Sequence, residues 1–127
     1  MYVLKRIYDK YSKEDGYSIL IDRLWPRGIS KTEAKIDLWM KDIAPSKNLR
    51  EWFSHDPQKW EEFQVKYKSE LLGKKELIDQ ITEIEKNNKK VTILYAAKDT
   101  KHNNAVALLN FINKQVSLSK KKVILSH

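Results

Sequence analysis

The sequence predicts a small α/β sandwich with a mostly parallel central sheet flanked by helices. Apolar runs typical of strands lie at residues 2–8, 17–21 and 91–97. Segments with helical spacing of apolar side chains lie between the second and third runs and after the third, and strands separated by helices favour a parallel sheet. The 127 residues, 41% of them hydrophobic, suffice for one core. We expect a single domain over residues 1–118, followed by a basic tail or edge strand over residues 119–127.

The first half of the chain predicts three strands and one helical turn. Residues 2–8 form the first strand, and Asp15-Gly16 marks the turn before the second strand at residues 17–21. The near-continuous apolar run of the second strand indicates burial on both faces of the sheet. Ser30 and Glu33 have capping-box spacing, which predicts a short helical turn. Apolar side chains recur at every second position over residues 36–40, which favours a third, short strand.

The second half predicts four helices around one strong strand. Ser46 is placed to cap a short helix that reaches Phe53. Asp56-Pro57, a cap residue followed by proline, starts a longer helix that ends near Gly73. The next helix spans the apolar positions 77–84 and stops at residues 87–88. The strand at residues 91–97 is followed by a polar loop, and the last helix takes in the apolar positions 105–116.

Composition limits the classes of protein that the chain can belong to. The formal net charge is +8, much of it in lysine clusters at positions 74–75, 89–90 and 120–122. A basic surface attracts nucleic acid, whereas the alternative is a lysine-rich face that contacts only solvent. The chain has no cysteine, which excludes disulfides and thiolate metal sites. The charged N-terminal residues predict no secretory signal, and no run reaches the roughly 18 apolar residues of a membrane span. We therefore expect a cytoplasmic protein that does not enter membranes.

Several motifs together resemble one protein family. The strings are Arg6-Ile7-Tyr8-Asp9, Asp22-Arg23-Leu24-Trp25-Pro26-Arg27-Gly28, Ala44-Pro45-Ser46 and Tyr95-Ala96-Ala97-Lys98-Asp99. In this combination the chain resembles the YeaO-like branch of the domain-of-unknown-function 488 family, over residues 2 to about 118. The resemblance implies a compact Rossmann-like fold in a bacterial cytoplasmic protein. It implies no activity, and the chain has no glycine-rich nucleotide loop to support the porphyrin methyltransferase label of some members.

The first candidate site is the DRLWPRG tract, defined as residues 22–28, which directly follows the second predicted strand. In parallel α/β sheets, ligands bind just beyond the carboxyl ends of the strands. Arg23 and Arg27 suit carboxylates or phosphates, and Trp25 could stack on an aromatic ligand. Gly28 permits a tight turn, and Asp22 is a candidate general base. The tract therefore predicts an anion-binding loop.

A structural explanation of the same tract stays open. Arg23 could pair with a nearby carboxylate while Trp25 fills the core. The candidate carboxylates are Asp22, Asp37 and Asp42.

The second candidate site is the 98–104 loop, defined as the polar residues that follow the 91–97 strand. Tyr95 and Lys98 lie at the strand exit, and Asp99 is a second candidate general base. Lys98 and the start of the next helix could hold a phosphate, with Asn104 as a further contact. The alternative is that Asn103 or Asn104 simply caps that helix. If the two strands are parallel neighbours, the tract and the loop share one crevice.

The remaining polar residues give weaker evidence for a binding site. Lys41, Arg50 and Trp52 could complete a basic pocket, while Ser46 is better explained as a helix cap. The histidines at positions 55, 102 and 127 show neither triad nor metal spacing, so we expect no metal and no cofactor.

The predicted function is a small enzyme or ligand-binding domain for an anionic metabolite, such as a nucleotide or phosphorylated compound. Whether the chain catalyses a reaction is left open, and so is its oligomeric state. The alternatives are a nucleic-acid-binding protein that uses the lysine-rich surface and a partner-binding module anchored by Trp25.

Overall fold

Four parallel strands form a single sheet at the centre of the computed structural model, which describes the backbone of residues 1–125 and the side chains of residues 1–118. The strands are β1 (Tyr2–Arg6), β2 (Tyr17–Leu20), β3 (Leu38–Trp39) and β4 (Val91–Tyr95). Their order is β1-β4-β2-β3, so the last strand in sequence lies between the first two. Val91 pairs with Tyr2 on one side and with Tyr17 on the other. The predicted small α/β fold is confirmed.

Within the described residues, five α-helices connect and cover the strands. They are α1 (Lys31–Ala34), α2 (Lys47–Phe53), α3 (Trp60–Leu72), α4 (Lys75–Asn88) and α5 (Asn104–Leu125). Short 3-10 turns lie at Lys13–Asp15, Lys41–Ile43 and Pro57–Lys59. The predicted helix starts at Ser30 and Ser46 are confirmed, because each of these side chains accepts a hydrogen bond from a backbone N–H of the first turn. Asp56 caps the 3-10 turn Pro57–Lys59 in the same way, and α3 itself begins three residues later than predicted, at Trp60.

The two faces of the sheet are covered differently. One face packs against α2, α3, α4 and α5, with Ile19 and Ile93 of the strands fully buried against residues such as Phe63 and Leu108. The other face is smaller and is built on Leu20 and Leu94, which alternate with the first set along the same strands. This second face is covered mainly by the connection between β2 and β3, which contains the single helical turn α1. That connection includes the whole DRLWPRG tract.

Several predicted boundaries differ from the structure. β1 ends at Arg6 and β4 at Tyr95, two residues earlier than predicted, and β3 has only two residues. The last helix extends to Leu125 and so includes backbone for which the sequence allowed an edge strand or a tail. The side chains of residues 119–127 lie outside the described part, and the division of the chain at residue 118 stays a prediction.

The turn before β2 depends on a glycine. Gly16 has a φ of +67°, and a Cβ atom built there would lie 2.5 Å from the Lys90 carbonyl oxygen. That oxygen accepts a hydrogen bond from the Tyr17 N–H at 3.1 Å. Only glycine allows this close approach, which sets the register of β2 against β4.

Candidate binding site at the carboxyl edge of the sheet

The Asp22 carboxylate connects the two candidate loops at the carboxyl edge, the edge of the sheet at which all four strands end. Its Oδ2 accepts a hydrogen bond from the Ala96 N–H at 2.9 Å, and its Oδ1 accepts one from the Asn104 side-chain amide at 3.0 Å. Asp22 follows β2, Ala96 follows β4, and Asn104 begins α5. The exits of two neighbouring parallel strands therefore meet at one carboxylate.

Burial and neighbouring positive charges shift the pKa of Asp22 in opposite directions. Burial raises the pKa of this carboxyl above its ordinary value. The hydrogen bonds from Asn104 and Ala96 lower the pKa in part, as do the positive charges of His55 and Arg50. Asp22 is thus a desolvated carboxylate with cationic neighbours. The backbone of Asp22 is held in place as well, because the Trp39 indole N–H donates to the Asp22 carbonyl at 2.7 Å.

The two arginines of the DRLWPRG tract lie toward opposite sides of the sheet. Arg23 forms an ion pair with Asp42, beyond β3, at 2.7 Å, and the two side chains are 47% and 70% exposed. The Arg27 carbonyl accepts a hydrogen bond from the Tyr8 hydroxyl, beyond β1, at 2.9 Å. The tract therefore runs across the carboxyl edge from the β3 side to the β1 side. For Arg23, the structure favours the pairing explanation.

Trp25 is used for packing. Its ring meets Trp39 edge to face, with centroids 5.3 Å apart, and its indole N–H donates to the Ile29 carbonyl at 2.8 Å. The half-buried ring covers the smaller core on the second face of the sheet. Gly28 turns the chain with a φ of +79°, as the tight-turn interpretation expects.

The 98–104 loop is organised by Asp99. Its Oδ1 accepts hydrogen bonds from the N–H groups of Lys101 and His102, and its Oδ2 lies 2.9 Å from His102 Nδ1. These bonds, led by the one from the Lys101 N–H, hold the pKa of Asp99 below its ordinary value. Asn103 caps α5 by accepting from the Val106 N–H at 3.0 Å. Of the two asparagines, Asn103 therefore caps the helix, and Asn104 reaches Asp22.

The remaining predicted residues divide between the edge and the helix layer. Arg50 commits its Nε to the Pro45 carbonyl at 3.2 Å. The Trp52 ring lies under the ammonium groups of Lys59 and Lys66, at 5.2 and 4.0 Å from the ring centroid, and belongs to the α2–α3 packing.

Two further residues of the predicted site, Lys41 and Tyr95, interact mainly with other parts of the fold. Lys41 lies 5.7 Å from the centroid of the Trp39 ring. Tyr95 is buried, and burial raises the pKa of its hydroxyl.

The family model for DUF488-N3i, described as the "Inactive DUF488-N3 subclade", matches residues 1–126. The chain belongs to this family. It is 40% identical over 108 residues to "Uncharacterized protein YeaO" of Escherichia coli, an alignment that covers 85% of this chain and 93% of that protein.

Two mycobacterial proteins match over a shorter part of the chain. The chain is 46% identical over 66 residues to "Uncharacterized protein Mb3100c" of Mycobacterium bovis and to "Uncharacterized protein Rv3073c" of Mycobacterium tuberculosis. Each alignment covers 52% of this chain and 56% of the relative. No solved structure matches significantly. The resemblance to the YeaO-like branch is confirmed.

Two histidines that form no motif in the sequence, His55 and His102, come to the carboxyl edge in this DUF488-N3i chain. His55 lies close enough to Asp22 for its charge to act on that carboxyl, and His102 touches both Asp99 and Trp60. The histidines are 47 positions apart in sequence, so no motif joins them. The one sequence feature that pointed to His102 is its position three residues after Asp99, at the start of a predicted helix.

Arg6 was also missed as an edge residue. Its guanidinium donates to the carbonyls of Ala97 and Ala96 at 2.9 and 3.2 Å, and so ties the end of β1 to the end of β4.

Three further observations concern the site and the rest of the described chain. Among the described residues, no group of three or more metal-ligating side chains occurs. The described helices include none with the length and apolar character that crossing a bilayer requires. An open cavity of about 450 Å³ lies at the α3–α4 corner, between Leu72 and Leu77, and shares no lining residue with the Asp22 contacts.

Proposed function

We propose that this chain is a non-catalytic binding domain for a small anionic metabolite, such as a nucleotide or another phosphorylated compound. The observation that supports this most directly is the Asp22 carboxylate, which joins the DRLWPRG tract and the 98–104 loop through its bonds to Ala96 and Asn104. Ligands of parallel α/β sheets bind at this edge. The cytoplasmic location expected from composition is part of the proposal.

The proposed ligand contacts are cationic groups whose hydrogen-bonding capacity is not used by the fold. In the part of the chain that the structure describes, the side chains of Arg27 and Lys98 form no hydrogen bond and are exposed. Arg50 uses only its Nε, which leaves the outer N–H groups of its guanidinium. An arginine fork suits two-point contact with phosphate. Arg23 is excluded from this set because Asp42 already neutralises it.

Binding without catalysis is favoured for two reasons. Both oxygens of Asp22 and both of Asp99 already accept hydrogen bonds that hold the loops together. The matching family model is, moreover, described as an inactive subclade. An enzyme is the second candidate, because Asp22 is a partly buried carboxylate at the strand exits, where burial raises its pKa, and general bases have shifted pKa values.

The experiment that tests the proposal is a thermal-shift screen against nucleotides and phosphorylated metabolites. A ligand at one hundred times its Kd stabilises the native state by about 2.7 kcal/mol. We expect Arg27→Ala, Arg50→Ala or Lys98→Ala to weaken a true hit. The matched control is Arg23→Ala, which removes an equal charge that is paired on the surface. Incubation of each hit with the protein, followed by product analysis, separates the binding domain from the enzyme.

The outcomes distinguish the alternatives. Absence of any hit, with all four variants melting like wild type under every condition, would refute the proposal. Binding of bulk nucleic acid that weakens steeply with salt and ignores Arg27 and Arg50 would instead favour the lysine-rich surface. A hit that Arg23→Ala weakens as much as Arg27→Ala would show general charge attraction and no site.

A further inference from the structure

Tyr8 exposes an aromatic ring at the carboxyl edge, two residues beyond the end of β1 at Arg6. The side chain is 44% exposed, and among the described phenylalanine, tyrosine and tryptophan residues only Tyr11 is exposed to a similar degree. Tyr11 lies further along the connection toward β2. Trp25, for which the sequence allowed a stacking role, packs against Trp39 instead. Tyr8 is therefore the aromatic side chain that the edge presents to a ligand.

The Tyr8 ring is held in place although it is exposed. The Arg6 guanidinium lies over the ring, with its central carbon 5.2 Å from the ring centroid. That guanidinium is itself fixed by the carbonyls of Ala97 and Ala96, at 2.9 and 3.2 Å. At the other end of the ring, the Tyr8 hydroxyl donates to the Arg27 carbonyl at 2.9 Å. A side chain that is already ordered loses little entropy when a ligand binds to it.

One face of the Tyr8 ring is left for a ligand. Arg6 lies over one face, and no second ring or cation of the described residues lies over Tyr8. The bond to Arg27 has a structural use, because it ties the DRLWPRG tract to the end of β1. That use requires the hydroxyl, however, and does not require an aromatic surface in contact with water. Flat aromatic side chains with a free face are the usual platforms on which nucleobases stack.

Cationic residues adjoin the contacts that hold the ring. Arg27 supplies the carbonyl that binds the Tyr8 hydroxyl, and Lys98 directly follows the two carbonyls that bind Arg6. The side chains of Arg27 and Lys98 are exposed. The acidic residue next to the ring in sequence, Asp9, is outnumbered by these cations. A ligand that joins an aromatic ring to a phosphate is complementary to this combination of a stacking face and positive charge.

We propose that Tyr8 is the base-stacking residue of the site, so that the ligand is a nucleoside phosphate and not a phosphorylated sugar or acid. This inference rests on the proposed function, since it names the class of anionic metabolite that the carboxyl edge selects. The base stacks on the free face of the Tyr8 ring, and the phosphate binds to the side chains of Arg27 and Lys98. Tyr8 thereby sets the specificity, while the cations supply attraction that every phosphorylated compound shares.

The test compares adenosine 5′-monophosphate (AMP) and uridine 5′-monophosphate (UMP) with ribose 5-phosphate. The three probes carry the same sugar and phosphate and differ in the base, so a difference in affinity reports on base recognition. Binding is followed by NMR chemical shifts of the backbone amides at one pH and one ionic strength. We expect both nucleotides to bind about tenfold more tightly than ribose 5-phosphate, as one stacked base provides.

Two variants of Tyr8 separate the ring from its hydroxyl. Tyr8→Phe and Tyr8→Leu both lose the hydrogen bond to the Arg27 carbonyl, but only Tyr8→Leu loses the ring. We expect Tyr8→Leu to bind AMP about tenfold more weakly than Tyr8→Phe does, with equal affinities of the two variants for ribose 5-phosphate. The matched control is Tyr11→Leu, which removes a tyrosine that is 41% exposed and has the Lys35 ammonium 4.9 Å from its ring centroid. We expect this control to bind AMP like wild type.

The outcomes separate this inference from the proposed function. Equal affinity for the three probes, all weakened by Arg27→Ala, would overturn the role of Tyr8 and leave the proposed function in place, as would binding of only base-free metabolites in the screen. Equal loss of AMP affinity in Tyr8→Phe and Tyr8→Leu, or a similar loss in Tyr11→Leu, would also overturn it. Much tighter, steeply salt-dependent binding of a single-stranded oligonucleotide through Tyr8 would replace the nucleotide by nucleic acid. Failure of the three probes and of every metabolite to bind would remove both proposals.

Discussion

Replacing Asp22 by alanine removes the carboxylate that joins the end of β2 to the end of β4 and the start of α5. Two hydrogen bonds are lost, and the Ala96 N–H and the Asn104 amide are left without that partner. Hydrogen bonds to a charged group contribute about 1.5–3 kcal/mol each, or about 3–6 kcal/mol for the pair. The loss is partly offset, because burial of the carboxylate is itself unfavourable and raises its pKa. We therefore expect Asp22→Ala to lower the free energy of unfolding by about 2–4 kcal/mol.

Urea unfolding at pH 7, followed by tryptophan fluorescence, measures this loss. The control is Asp42→Ala, which removes a carboxylate from an ion pair with Arg23 whose partners are 70% and 47% exposed. Exposed pairs contribute less than about 1 kcal/mol, so the control should unfold almost like wild type. If Asp22→Ala cost no more than Asp42→Ala, Asp22 would not hold the two loops together, and the basis of the proposed site would be lost.

Three further predictions concern stability. Gly16→Ala should lower the free energy of unfolding in urea by about 2–3 kcal/mol, because its left-handed backbone is combined with a clash against the Lys90 carbonyl oxygen. The control Gly28→Ala meets no atom within 4 Å and should lower it by about 1 kcal/mol. Equal losses in the two variants would contradict the role of the clash. Trp25→Ala should cost about 2–4 kcal/mol and weaken the near-ultraviolet circular dichroism of the tryptophan pair, and an unchanged spectrum would argue that the ring is not packed. Because burial raises the pKa of Asp22, the native protein binds its proton more tightly than the unfolded chain does. Wild type should therefore lose stability relative to Asp22→Asn as the pH rises above about 4, and a change of opposite sign between pH 4 and 7 would refute the raised pKa.

Features encoded by neighbouring residues were predictable from the sequence. Ser30, Ser46 and Asp56 act over two or three positions, and all three begin helical segments as expected. The strands at residues 17–20 and 91–95 were also found, because their apolar runs reflect burial on both faces of the sheet.

Features that depend on distant residues were not predictable. Arg23 had three candidate acidic partners in the sequence analysis, and only the placement of β3 selects Asp42. Trp25 could equally have faced a ligand, and its contact with Trp39 depends on the path of the connection between β2 and β3. The left-handed conformation of His55 is not signalled by any glycine or asparagine. The candidate site was thus predictable in its position at the strand exits, but the side chains that act there were only partly identified.

The position of β4 has a consequence for how the chain folds during synthesis. β1 and β2 are made early, but neither pairs with the other, and both wait for the strand that separates them. Tyr2 and Tyr17 meet their common partner Val91 only after most of the chain has left the ribosome. Such long-range pairing slows folding and leaves apolar strand surface exposed to other chains in the meantime. The yield of native protein should therefore depend on chaperones that shield the N-terminal third of the nascent chain.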